Sequence, residues 1–135
     1  MIYCNPTHID EIAGGRLERH RKPAGLDMND YGMFRSEREV ACAVGVRSEL
    51  AFTEFLSLLK TELHDALSAA DVPQQVLIDL IMHPEADLTM ENYAALGRTI
   101  REIFGDEIFV FRAGFSINDG LPDNHKDIMV FIAGN

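Results

Sequence analysis

The chain has 135 residues, 47% of them apolar, and a formal net charge of −10. That length supports one domain with a real core, and no apolar run approaches the roughly 18 residues of a membrane span. Two cysteines, Cys4 and Cys42, are too few for a disulfide framework or a cysteine metal site, and the acidic balance argues against nucleic acid or an anionic membrane as partner.

A reduced, cytoplasmic setting is the default expectation, with no signal peptide, because the N-terminus turns polar within a few residues. The charge is uneven. Residues 1–36 hold five basic and five acidic side chains, whereas residues 37–135 hold seven and seventeen. Such an acidic body serves solubility and permits attraction to a basic partner.

Residues 1–36 read as an N-terminal arm. Ile9, Ile12 and Leu17 are spaced for a turn or two of helix, but Gly14-Gly15 weakens it. Arg16, Arg19, Arg21 and Lys22 cluster around His20, as a solvated face or a basic patch for an anion or partner. Pro23-Ala24-Gly25 is a break, and 27–32 a polar loop. Asp27 and Asp30 read there as turn formers before they read as cation ligands.

Val40 to Val46 is a strand of small and β-branched residues. Ser48 is placed to cap a helix over 49–70, whose Phe52, Phe55, Leu56, Leu59, Leu63, Ala66, Leu67 and Ala70 share a face. Val76 to Met82 is the next strand. Thr89 to Phe104 is the clearest helix: Thr89 is the N-cap, and Leu88 and Tyr93 stand at staple positions. Its Tyr93, Leu96, Ile100, Ile103 and Phe104 make one stripe, and Gly105 ends it.

In the strand Ile108 to Phe115, alternation puts Phe109, Phe111, Ala113 and Phe115 on one face and Ile108, Val110 and Arg112 on the other. Ile128 to Ala133 is apolar on both faces and belongs in the middle of a sheet. The turn-rich stretch 118–124 makes an antiparallel hairpin the simplest link between these two strands. The expected fold is a single α/β (α+β) domain over residues 37–135, β-α-β-α-β-β, with a four-stranded mixed sheet and two helices.

The groups that make and break bonds are not assembled in the sequence. The five histidines are scattered, His83 and Asp87 straddle a loop, and no glycine run would cradle a phosphate. No catalytic residue, cofactor or metal site is expected. Asp79 interrupts an apolar strand, so it either faces water or has a partner such as Arg112 or Arg47. Arg47, Asp79 and Arg112 are the residues to suspect at any cleft.

The C-terminal residues resemble a known family. Asp87-Leu88-Thr89 leads into a helix with Tyr93, Gly97 and Ile100; Gly114-Phe115-Ser116-Ile117-Asn118, Leu121 and Asp123 follow, then Val130-Phe131-Ile132-Ala133-Gly134. These look like the second domain of the bacterial tubulin homologue FtsZ, whose stretch runs Asp-Leu-Ser, then Gly-x-x-Ile-Asp, and closes on Ala-Thr-Gly. The resemblance covers roughly residues 38–134. Pro84 stands three before Asp87 where the family has it adjacent, which implies a short insertion.

Upstream, Leu26, Asp27, Asn29, Asp30 and Tyr31 resemble the loop that this family pushes into its neighbour's nucleotide pocket, patterned Asn-x-Asp-x-x-Asp. Aligned on Asp30, Met28 and Met33 replace the Asn and the last Asp; aligned on Asp27, both acids are present but Gly25 replaces the Asn. Neither register completes the pattern. The family's glycine-rich phosphate loop has no counterpart here, so the resemblance implies a domain that does not hydrolyse GTP by itself.

Three functions compete on these residues. The first is a non-catalytic interaction module that binds a tubulin-like filament or itself. The second is a small-molecule enzyme or ligand-binding trimer, because the layout is also similar to that of chorismate-mutase-like proteins, with sites between subunits. The third, resting on charge alone, is an acidic inhibitor or immunity protein.

Overall fold

The computed structural model describes residues 2–3, 5–19, 30–31, 33–34, 40–67, 73–84, 86, 89–105 and 108–134. Among them, five strands form one mixed sheet: β1 (Ile2–Tyr3), β2 (Val40–Ser48), β3 (Pro73–Met82), β4 (Phe109–Ile117) and β5 (Lys126–Gly134). Their order across the sheet is β1-β2-β5-β3-β4. The apolar β5 runs antiparallel to β2 on one side and to β3 on the other, so the strand with two dry faces takes the centre. β3 and β4 are parallel neighbours. The helices are α1 (Pro6–Arg19), α2 (Phe52–Leu67) and α3 (Met90–Phe104). The α/β class holds; the fifth strand, β1, adds two residues at the edge of β2 and is too short to show a period in the sequence.

Strand alternation divides the sheet into two faces. On the first, Val44, Val46, Ile78, Leu80, Val130 and Ile132 meet the buried stripes of α2 and α3, Phe55, Leu59 and Leu63 from one and Leu96 and Ile100 from the other. On the second, Ala43, Leu77, Met129, Phe131 and Ala133 pack under Ile9 and Ala13 of α1 and against Tyr31 and Phe34. Two layers of helix thus cover a sheet whose β3 and β5 are buried throughout their described side chains.

The caps explain where α3 stops. Thr89 Oγ1 accepts from the Asn92 N–H at 3.1 Å, as an N-cap should. Gly105 has φ 91 and ψ 168, a region essentially closed to other residues, and its N–H donates to the Arg101 carbonyl. Leu88, the expected staple partner of Tyr93, lies outside the described residues; Tyr93 instead meets Phe115 edge-on, with ring centroids 5.6 Å apart.

Three local expectations are corrected. The β4–β5 hairpin does not form: residues 118–125 carry the chain past β3, and β5 inserts between β2 and β3, where both of its apolar faces are covered. The register of β3 on β4 slips between Val76 and Leu77, so Val110 pairs with Val76 and Arg112 with Leu77. That bulge moves Val110 to the side of Ala113 and Phe115, against the first core, while Phe109 is 60% exposed. Finally, α2 begins at Phe52, and Ser48 Oγ accepts from Leu50 N–H inside the preceding turn rather than capping the helix.

The described part of residues 1–36 belongs to the same body. The helix α1 runs through Gly14-Gly15, and nothing lies within 4 Å of a Cβ built on either glycine. The backbone freedom they cost is therefore recoverable. Gly15→Ala, at an exposed position, is expected to stabilise α1 by about 0.4–1 kcal/mol, read as slower hydrogen exchange of the helix's amides.

Candidate functional site

The second face of the sheet carries charge where its neighbours are apolar. Asp79 on β3 pairs across with Met129, and Asp127 on β5 with Ile81, so the two carboxylates are diagonal neighbours on adjacent strands. They are 2% and 5% exposed. Two such groups would be costly to bury without a cation.

The cation comes from α1. Arg16, itself 4% exposed, lays its guanidinium across both strands. Its Nε donates to Asp79 Oδ2 at 2.7 Å and its Nη1 to Asp127 Oδ1 at 2.5 Å. Its Nη2 donates to the main-chain carbonyls of Asp79 and Asp127 at 2.8 and 2.9 Å. Four acceptors from two strands therefore surround one planar fork, a geometry that a lysine ammonium cannot reproduce. Burial works against the guanidinium's charge, but the fields and hydrogen bonds of Asp79 and Asp127 outweigh it and hold the pKa above its usual value. Arg47, on β2 opposite Asp127, donates from Nη2 to Asp127 Oδ2 at 2.9 Å. Its side chain is 55% exposed, so it closes the network at the rim. Among the described residues, Arg16 and Arg47 thus set two cations beside the two carboxylates.

A second polar anchor lies at the end of β5. Lys126 is 2% exposed, and its ammonium donates to the carbonyls of Leu50 and Asn124 at 2.7 and 3.1 Å. It ties the turn before α2 to the loop before β5. Asn124 takes φ 60, a conformation that asparagine tolerates. Within that loop Asn118 Oδ1 accepts from Gly120 N–H at 2.8 Å, an Asx turn.

Asp79 is therefore enclosed, and Arg16 is a partner of both its side chain and its main chain. Of the suspected cleft, Arg47 meets Asp127, the carboxylate diagonal to Asp79. Arg112, opposite Leu77, shares the second face with Asp79, and its Nε stands 3.4 Å from Asp30 Oδ1. Of the basic patch, Arg16 is inside the protein rather than on a solvated face; the side chain of Arg19, together with Arg21 and Lys22, lies outside the described residues. So do Leu26, Asp27 and Asn29 of the loop assigned to a partner. Asp30 and Tyr31 are helical: Tyr31 is buried against Phe131 with centroids 5.4 Å apart, and its hydroxyl donates to Asp10 Oδ1 at 3.4 Å. Cys42 is fully buried, as its apolar run indicates.

Asp127 and Lys126 escaped the sequence reading, although the signal existed. Counting back by two from Phe131 and Met129 puts Asp127 on the same buried face, and counting back from Ile128 puts Lys126 on the other. Among the described residues no three His, Cys, Asp or Glu side chains gather as a metal site, and no helix is long and apolar enough to cross a membrane. His83, whose possible partner Asp87 lies outside the described residues, stands 3.6 Å from Asp123 instead. A shallow groove of about 300 Å³ opens between β2 and α2, lined by Gly45, Val46, Arg47, Leu58, Thr61 and Glu62.

No family model and no curated protein matches the chain. Solved structures do. The empty FtsZ dimer of M. jannaschii superposes with a TM-score of 0.65 at 20% identity, over 95% of this chain and 38% of that one. The P1 form of the FtsZ W319Y mutant from the same organism gives 0.60 at 19% identity, over 95% and 40%. The chain thus has the fold of the FtsZ C-terminal domain and spans about two fifths of the length of the structures it matches.

Proposed function

We propose that this chain is a protein-interaction module of tubulin-like architecture, which binds a tubulin-like protein or another copy of itself and performs no chemistry. The observation that carries the reading is the FtsZ-like fold over 95% of the chain. The ionisable groups support it: buried Arg16, Asp79 and Asp127 are engaged with one another, and buried Lys126 with main-chain carbonyls. The side chains of Arg16, Asp79 and Asp127 are 4%, 3% and 8% exposed. A domain built this way acts through its surface.

Co-sedimentation tests the reading. The chain is mixed at equal concentration with the tubulin-like protein of its own host under polymerising conditions, and its self-association is followed alone by analytical ultracentrifugation. The expected result is either pelleting with the polymer or altered polymer yield, or a concentration-dependent oligomer. A monomer that neither pellets nor changes polymerisation rejects it.

A further inference from the structure

We propose that Asp119–Gly120 is a self-modification site, at which Asp119 converts to isoaspartate, and that the Asn118 side chain holds this site shut. Both residues are exposed, at the centre of a turn in the loop between β4 and β5. The Asn118 carbonyl accepts from the Leu121 N–H at 3.2 Å and closes that turn. The turn selects glycine at 120, because a Cβ there would stand 3.0 Å from Asn118 Oδ1. A residue without a Cβ also leaves its amide nitrogen open to the carboxyl group that precedes it. The same close approach that demands glycine therefore sets a reactive Asp-Gly pair on the surface.

The chemistry needs only water. The Gly120 nitrogen attacks Asp119 Cγ. A C–N bond forms and a Cγ–O bond breaks; that oxygen leaves as water, with the carboxyl proton and the amide proton. The product is a five-membered succinimide. Water reopens it at Cγ, which restores aspartate, or at the main-chain carbonyl carbon, which leaves the chain running through Cβ and Cγ. The second outcome adds a methylene to the main chain between Asn118 and Lys126, the anchors at the two ends of the loop. Every step waits on the Gly120 nitrogen, and that nitrogen is engaged. Its N–H donates to Asn118 Oδ1 at 2.8 Å. Attack requires the amide to turn toward Cγ and to give up its proton, so this hydrogen bond must break first. The acceptor is itself fixed: Asn118 is 7% exposed, and its own N–H donates to the Met82 carbonyl at 2.8 Å. This inference is independent of filament binding.

The full chain is aged in neutral buffer, and isoaspartate at residue 119 is counted by enzymatic methylation and peptide mass spectrometry. In Asn118→Ala the rate should rise about two- to tenfold over the unaltered chain, the factor that one hydrogen bond contributes. In Asn118→Asp, whose carboxylate can accept the same N–H, it should stay at the unaltered rate. An alanine variant no faster than the unaltered chain, or an aspartate variant as fast as alanine, overturns the proposal. Should the variants fail to fold, the unaltered chain decides. Its Gly120 amide should be protected from hydrogen exchange although the residue is exposed, and isomerisation should quicken when urea unfolds the chain. A Gly120 amide that exchanges like a free peptide's, or an equal isomerisation rate folded and unfolded, overturns it equally.

Discussion

Arg16→Met is expected to remove about 3–5 kcal/mol from the free energy that holds α1 on the sheet. Methionine fills much of the same space, so the loss is electrostatic. It takes the guanidinium away from Asp79 and Asp127, which are almost wholly enclosed, and the Arg47 that still meets Asp127 is half-exposed. The carboxylates recover water when α1 leaves, and the variant takes that route. Hydrogen exchange should show α1 amides stripped of protection while α2 and α3 keep theirs. A variant in which α1 stays protected would mean that its apolar contacts alone suffice. The matching rescue is the triple change Arg16→Met, Asp79→Leu and Asp127→Leu. Apolar side chains of similar volume replacing a buried ion cluster are often neutral or stabilising, so α1 protection should return to at least its original level. Arg47, already at the rim, goes back to solvent at little cost.

This network also marks where the sequence could be read and where it could not. Asp79 stood out because it breaks a run of apolar residues, and that oddity was physically meaningful. Its partner was invisible for a simple reason: Arg16 is 63 residues away, in a segment whose glycines and neighbouring cations suggest a solvated arm. Local patterning has no knowledge of a helix crossing the far side of a sheet. Strands β2 to β5 and helices α2 and α3 were legible because each has a local apolar pattern, whereas β1 is two residues long. Strand order is not local. The turn-rich loop between β4 and β5 looks like a hairpin link from composition alone. The deciding fact is that β5 is apolar on both faces, which favours a position between two strands over a place at an edge. The bulge in β4 likewise has no compositional mark; it shows only as the slip that turns Val110 inward.

Phe131→Ala tests whether the second face is a core in its own right or only a surface shielded by α1. Phe131 lies on β5, between Ala43 of β2 and Leu77 of β3, and is 2% exposed. Tyr31 meets its ring edge-on. Truncation removes the apolar transfer energy of the ring and leaves a cavity that β5, hydrogen-bonded on both sides, has little freedom to close. The expected cost is about 3–5 kcal/mol, similar to Phe55→Ala in the first core, and it should appear as a lower urea midpoint for the whole domain. Leu58→Ala is the control. At 43% exposure on the outer side of α2, it should change stability by no more than about 0.5 kcal/mol. The distinction matters for α1. If Phe131→Ala behaves like Phe55→Ala, the sheet depends on both faces being dry, and α1 is part of the core that it covers. If it behaves like Leu58→Ala instead, the second face tolerates water and the sheet does not depend on α1 to keep it dry.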